Sequence, residues 1–319
     1  MKAIVQERYG SPDGLALREI EKPVVGDDDV LVKVVAASVN AYDWGMMRRL
    51  PHLIARILRL PRTRIRGADL AGHVEAVGKN ITRFKPGDEV FGAGVGSFAE
   101  YATSTERRLA LKPRNLTFEQ AATLAVAGIT ALQGLRDKGC LQPGQRVLVY
   151  GAGGGVGTFA VQIAKALGAR VTAVTSTNNV ELMHSIGADD VIDYTKEDFS
   201  RRGERYDILY DLGGDRSLAD CRRVLAPNGM VILAGAGSKI WPLLVRLLEA
   251  QLRSRIGRQR IGIYMARGKH EDLVVLKELA EAGKLSPVID RTYPLSGVAD
   301  ALRYVGTRGA RGKVVIKVA

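Results

Sequence analysis

The segment VLVYGAGGGVGTFAVQIAKALGA, residues 147–169, constrains this chain more than any other. A short run of β-branched and apolar residues passes through Gly151, Gly153, Gly154, Gly155 and Gly157 into an apolar-periodic stretch closed by Gly168. That is a buried strand, a tight turn and a helix with a glycine stop. Glycines in such a turn let backbone N–H groups approach a pyrophosphate, and the helix N-terminus adds partial positive charge. The spacing is G-x-x-G-x-x-G (Gly151, Gly154, Gly157), not a strict G-x-G-x-x-G, so its weight comes from the strand–turn–helix context and the strand that follows. Dinucleotide binding is expected, with Gly154, Gly155 and Val156 against the pyrophosphate. A turn of purely structural purpose is the alternative.

Around this turn the chain alternates. QRVLVYG, RVTAVTS, DDVIDY, YDILYDL and GMVILAGA read as strands with helical patterns between most of them, which implies a parallel sheet with right-handed crossovers. Residues 2–40 instead read as β structure (KAIVQERY, then DVLVKVVAASVN), continued by GHVEAVG, GDEVFG and SFAEYAT. After about Ile261 come a helix over HEDLVVLKELAEAGK, a second helix near 296–306 and a last strand, KVVIKV. The expected organisation is an α/β nucleotide-binding domain over 122–263, inserted between 1–121 and 264–319 of a β-rich domain. A length of 319 residues suits two domains.

The end of the strand after the helix decides which dinucleotide is preferred. An acid there would accept hydrogen bonds from an adenine-ribose 2′-OH and repel a 2′-phosphate. The chain has Thr175, Ser176, Thr177, Asn178 and Asn179, and no acid before Glu181. Neutral donors favour NADPH, although no arginine clamps the phosphate and the same groups would also cap a following helix.

Charge is unevenly spread. Of the formal net +13, the stretch Gly45–Arg66 carries +7 and Lys239–Arg260 carries +5. Both are also aliphatic, as in LPHLIARILRLP and KIWPLLVRLLEAQLRSRI. They suit a core-packed helix with a basic edge, an anionic membrane surface or the wall of a cofactor cleft. No basic stretch is interleaved with stacking aromatics, so nucleic acid is not expected as a partner. No apolar run reaches membrane-spanning length, and MKAIVQERYG lacks the apolar core of a signal peptide. Two cysteines, Cys140 and Cys221, without a CxxC, argue against a disulfide scaffold and for a reducing, cytoplasmic setting, peripheral to a membrane if the basic segments bind lipid.

Several further blocks occur in order: VNAYDW (39–44), GADLAGHVEAVG (67–78), KPGDEVFG (85–92), GSFAEY (96–101), LAVAGITA (124–131), the glycine turn, GADDVIDY (187–194) and ARGKVVIKV (310–318). Together they resemble the medium-chain dehydrogenase/reductase superfamily in its zinc-independent quinone oxidoreductase branch. The resemblance implies a GroES-like substrate domain with an inserted Rossmann domain. Zinc-dependent relatives carry a Cys in the segment matching VNAYDW and a His in that matching GADLAG. Here the first has no Cys, Ala68 stands in place of the His, and FGAGVGS replaces the four-cysteine lobe. His73 alone cannot hold a catalytic zinc. No metal is therefore expected.

The resemblance also assigns roles. Asn40 lies near the nicotinamide ribose and Asp43 holds that loop. Thr130 lies near the nicotinamide, and Ser176 and Tyr194 approach the 2′-phosphate and adenine, beside Asn179. Leu212, Gly235 and Ala236 close strand ends beneath the cofactor, Met265 flanks the carboxamide and Lys313 adds a phosphate contact. Tyr42 is a candidate donor to a developing oxyanion. The implied activity is NADPH-dependent reduction of a quinone or an α,β-unsaturated carbonyl. An enoyl-thioester reductase is one alternative, and an NADPH-binding protein without turnover, of the RNA-binding or membrane-surface kind, is another. Such relatives are often homodimers.

Overall fold

The computed structural model describes residues 1–8, 10–48, 65–234, 258–307 and 309–319. Along the chain these form strands β1 (Lys2–Gln6), β2 (Leu15–Glu19), β3 (Val30–Val39), β4 (Asp69–Val77), β5 (Glu89–Ala93), β6 (Tyr101–Ser104) and β7 (Leu109–Leu111). Six more follow: β8 (Arg146–Tyr150), β9 (Arg170–Thr175), β10 (Asp190–Asp193), β11 (Tyr206–Asp211), β12 (Leu225–Leu233) and β13 (Arg260–Ile263). The last two are β14 (Ile289–Pro294) and β15 (Lys313–Lys317). The chain divides into two compact units, one of Met1–Ile129, Gly268–Gly283 and Pro287–Ala319, the other of Thr130–Arg267 and Lys284–Ser286.

In the first unit the main sheet runs β14-β15-β3-β4-β5-β7, with β6 also on β3 and β1-β2 as a separate antiparallel pair. All its pairs are antiparallel except β14 with β15. Apolar residues from β3 (Val30, Val32, Val34) meet Leu70 and Val74 of β4, Phe98, Val314 and Ile316 of β15, and Leu302 of the helix Val298–Gly306 in one buried core. The long β3 is central because its ten residues, VLVKVVAASV, are buried at most positions. The unit extends through residues 122–129, past the expected boundary at 121. There the Val126 N–H bonds an Asp69 carboxylate oxygen at 2.9 Å, and Leu276 lies where a side chain on Gly128 would go.

The second unit is a six-stranded, wholly parallel sheet in the order β10-β9-β8-β11-β12-β13. β8, the first strand, thus has β9 on one side and β11 on the other, which makes its carboxyl end the switch point where doubly wound sheets bind their ligands. The sequence VLVY is fully committed to this position, with Val147, Leu148 and Val149 wholly buried. The helix Gly155–Ala166 returns the chain to β9 and buries Phe159, Ala160, Val161 and Ile163. Gly168, at φ +83°, closes it where a glycine stop was expected. The expected helices near 270–284 and 296–306 run over His270–Glu281 and Val298–Gly306. Residues 49–64 and 239–257 of the two basic-apolar segments lie outside the described residues.

Candidate active site

The glycine turn begins where β8 ends. Gly151 takes φ +86°, a left-handed backbone that L side chains rarely adopt. The turn is tied to the end of β9, since the N–H groups of Gly151 and Ala152 both donate to the Val174 carbonyl, at 3.2 and 3.1 Å. At Gly157 the constraint is space: a Cβ there would lie 2.4 Å from the Gly151 carbonyl oxygen and 2.5 Å from that of Ala152. The helix therefore packs its first turn directly on the bend. Gly154 occupies the N-cap and brings no side-chain oxygen to it. The first-turn N–H groups, including those of Gly155 and Val156, are left to solvent or to an anion.

Beyond β9 the neutral donors gather as expected, and one acid joins them. Asn179 is buried, its N–H donates to the Ser176 carbonyl at 2.9 Å and its Nδ2 to Ser176 Oγ at 3.3 Å. The same Nδ2 sits 2.6 Å from where a Cβ on Gly153 would be, so Asn179 lies against the glycine turn. Tyr194 is 48% exposed, with its N–H on the Thr175 carbonyl. Between them, Thr177 Oγ1 donates to Asp193 Oδ2 at 2.6 Å. The Thr177 hydroxyl first, and then the Thr195 hydroxyl and N–H, hold the Asp193 carboxyl down at about 2, with Lys196 at 3.5 Å. The stretch after β9 lacks an acid along the chain, yet the neighbouring strand end delivers one.

Other expected cofactor positions fall elsewhere in the same unit. Leu212 is half-buried at the end of β11, its N–H on the Tyr150 carbonyl at 2.9 Å. The Thr130 carbonyl receives hydrogen bonds from Tyr210, at 2.8 Å, and from Tyr264. Met265 is 87% exposed just past β13. Gly235 and Ala236 lie outside the described residues.

In the first unit a buried polar cluster surrounds Asn40. β3 lies between β4 and β15, so the end of β3 meets the starts of both. This brings Ser38, Asn40, Asp69 and Lys313 together. Asp69, wholly buried, accepts on one oxygen from Ser38 Oγ at 2.7 Å, Asn40 Nδ2 at 2.9 Å and Lys313 Nζ at 3.2 Å. Its other oxygen takes the Val126 N–H at the start of the helix Ala125–Leu132. Lys313 Nζ also donates to Asn40 Oδ1 at 2.6 Å. Both ends of the Asn40 carboxamide are thereby held, leaving one N–H of its Nδ2 free of these contacts.

Lys313 corrects an expectation. It was assigned a phosphate contact, but its side chain is 2% exposed and its ammonium serves Asn40 and Asp69. Asp43 does hold its loop, with Oδ2 accepting the Asn40 N–H at 2.8 Å. Burial pushes its carboxyl up to about 7, and the Asp69 charge adds to this while Lys313 and the Asn40 N–H oppose it. Tyr42 is 58% exposed on the helix Ala41–Arg48. The blocks GADLAG and KVVIKV carry the resemblance without assigning Asp69 a role. The available signal is a charge of each sign directly before an apolar run, DLAG and KVVI.

Among the described residues no group of three or more His, Cys, Asp or Glu could hold a metal ion. No helix among them is long and apolar enough to cross a membrane.

A family model for the alcohol dehydrogenase GroES-like domain matches residues 26–114, and one for zinc-binding dehydrogenases matches 186–316. A solved quinone oxidoreductase from Coxiella burnetii superposes with a TM-score of 0.88 at 28% identity, covering 100% of this chain and 99% of that one. An NADPH-dependent alkenal/one oxidoreductase of Arabidopsis thaliana is 37% identical over 99% of this chain and 79% of its own length. A 2-methylene-furan-3-one reductase of Solanum lycopersicum is also 37% identical, over the same shares. The chain belongs to the medium-chain dehydrogenase/reductase superfamily, in its quinone-oxidoreductase-like branch. In the terms of that superfamily, the first unit is the GroES-like domain and the parallel sheet is the Rossmann-like domain.

Proposed function

We propose that the chain is an NADPH-dependent reductase of quinones and α,β-unsaturated carbonyls that works without zinc. The observation that carries this is the glycine turn at the switch point of the parallel sheet, with Ser176, Thr177 and Asn179 gathered at the end of β9. The names of the relatives agree, since one is an NADPH-dependent alkenal/one oxidoreductase and another a quinone oxidoreductase. The N–H groups of Gly155 and Val156, with Gly154 at the N-cap, would hold the pyrophosphate, and Ser176, Asn179 and Tyr194 the 2′-phosphate and adenine. Thr130, Leu212 and Met265, with Gly235 and Ala236, would line the nicotinamide half. NADPH, when bound, supplies the hydride.

The remaining chemistry falls to this chain's side chains. An enone or quinone that takes up a hydride gathers negative charge on its oxygen, which preorganised donors stabilise. Asn40, whose carboxamide is held by Lys313 and Asp69, would lie near the nicotinamide ribose. Tyr42 offers an exposed hydroxyl, and solvent can return the proton. Among the described residues, those at the positions matching zinc ligands would not suit a zinc ion. The Ala68 side chain has no ligating atom, Asn40 Oδ1 accepts from Lys313 Nζ at 2.6 Å, and the His73 ring lies 4.9 Å from that of Phe118.

Steady oxidation of NADPH with phenanthrenequinone or a short enone, by protein free of stoichiometric zinc, is the expected result. Tight NADPH binding without turnover across a panel of acceptors would favour a binding role instead. We also propose salt-sensitive association with anionic lipid, on the sequence of segments 45–66 and 239–260 alone. Liposome co-sedimentation unchanged after Arg56, Arg59, Arg246 and Arg253 are neutralised would remove it.

A further inference from the structure

In the second unit, the chain just past β13 is held to the chain around Thr130 at two points. The first is a reciprocal amide pair: Gln133 Nε2 donates to the Arg267 carbonyl at 2.7 Å, and the Arg267 N–H donates to Gln133 Oε1 at 3.0 Å. Gln133 is itself buried. The second is the Thr130 carbonyl, whose two lone pairs face two phenols, Tyr210 and Tyr264, with the phenol oxygens 2.5 Å apart. Gly134 makes room for them, because a Cβ there would lie 2.4 Å from the Tyr210 oxygen and 2.7 Å from that of Tyr264. Gly134 sits in the π-helical turn Gln133–Lys138 that follows the helix Ala125–Leu132. Such wide turns gather at functional sites.

We infer that Gln133, Tyr210 and Tyr264 are positioning residues, a two-point clamp that fixes Thr130 and the exposed Met265 relative to each other and so presets the nicotinamide half of the cofactor site. The inference rests on the proposed reading that Thr130 and Met265 line that half. The two hydrogen-bonded points, Thr130 with Tyr264 and Gln133 with Arg267, bracket Met265 and Ala266, so these two residues cannot shift without breaking one of them. Burial pushes the Tyr264 phenol up to about 12 and the Tyr210 phenol well above its ordinary value, so both remain protonated donors at any working pH. A site held in this way binds without first ordering the loop, which lowers the entropic cost of association.

The test compares two ligands on the same protein: NADPH, which needs both halves of the site, and 2′,5′-ADP, which needs only the adenine half. In the double variant Tyr210→Phe/Tyr264→Phe, affinity for NADPH is expected to fall about 10-fold while that for 2′,5′-ADP stays within about twofold. Single Tyr→Phe variants, in which one phenol still holds the carbonyl, should recover most of the loss. If the double variant does not fold, Gln133→Ala is read in the same way. An equal loss for both ligands would mean general loosening of the domain and would overturn the clamp, as would no loss for either. Wild-type protein is the control that separates the two proposals. Wild type without NADPH affinity sinks the functional reading, whereas wild type that binds NADPH with the ligand ratio unmoved in the variants sinks only the clamp.

Discussion

The glycine turn and the cluster around Asn40 are built in opposite ways. The turn is local, consisting of seven consecutive residues, five of them glycine. The cluster is assembled from residues 38, 40, 43, 69 and 313, and works through side chains sealed from water. The first-turn N–H groups of Gly155 and Val156 contribute to binding and little to stability. A buried carboxylate that meets a lysine, an amide, a hydroxyl and a helix N–H is a fixed framework whose members fail together. The difference predicts which property each substitution changes.

The largest effect is expected from Lys313→Met, which leaves the Asp69 charge buried without its cation. Loss of about 3–5 kcal/mol of unfolding free energy should appear in urea titration, with Lys313→Arg recovering part of it. Gly157→Val should act on the other property. The Cβ collides with the turn, and NADPH affinity should fall by about 100-fold in a fluorescence titration, with a smaller shift in the unfolding midpoint than Lys313→Met causes. Were the two variants to exchange these phenotypes, the distinction drawn between the regions would be broken.

Asp43 sharpens the comparison through pH. Its folded value of about 7 lies above the ordinary 3.8, so the folded state binds the proton more tightly. Its contribution is therefore most favourable at low pH and is lost as pH rises from about 4 to about 7, with no further change above. Between pH 5 and 7 the fall is about 2 kcal/mol. Asp43→Asn should flatten that part of the curve in thermal unfolding run at several pH values. The smallest effect concerns Asp193, whose carboxylate lies one hydrogen bond beyond Thr177. Asp193→Asn removes a negative charge near the proposed 2′-phosphate position, and the preference for NADPH over NADH should rise by about 2- to 5-fold in kcat/KM.

These residues also mark what can be read along a chain. The turn, the alternation on either side of it, and the helix stop at Gly168 are contiguous, and local spacing reveals them. The end of β9 was only half legible, because Asp193 reaches Thr177 across two adjacent parallel strands and spacing along β9 is blind to it. Asp69 and Lys313 were least legible. Each opens a largely apolar strand, and only the sheet order β15-β3-β4 pairs them. The resemblance alone gives Lys313 a phosphate contact, because motif matching does not show that Asp69 lies within reach of its ammonium.

That pairing has a kinetic consequence. Asn40 and Lys313 are separated by 273 positions, whereas the parallel sheet uses a single unbroken stretch from Arg146 to Ile263. Closing so long a loop costs entropy before any contact repays it. During refolding the sheet that carries the glycine turn can form early on its own. The lysine can reach its carboxylate only after the two flanking stretches of chain have found each other. Pulse-labelled hydrogen exchange should accordingly show the amides of β8 and β9 protected before those of β15.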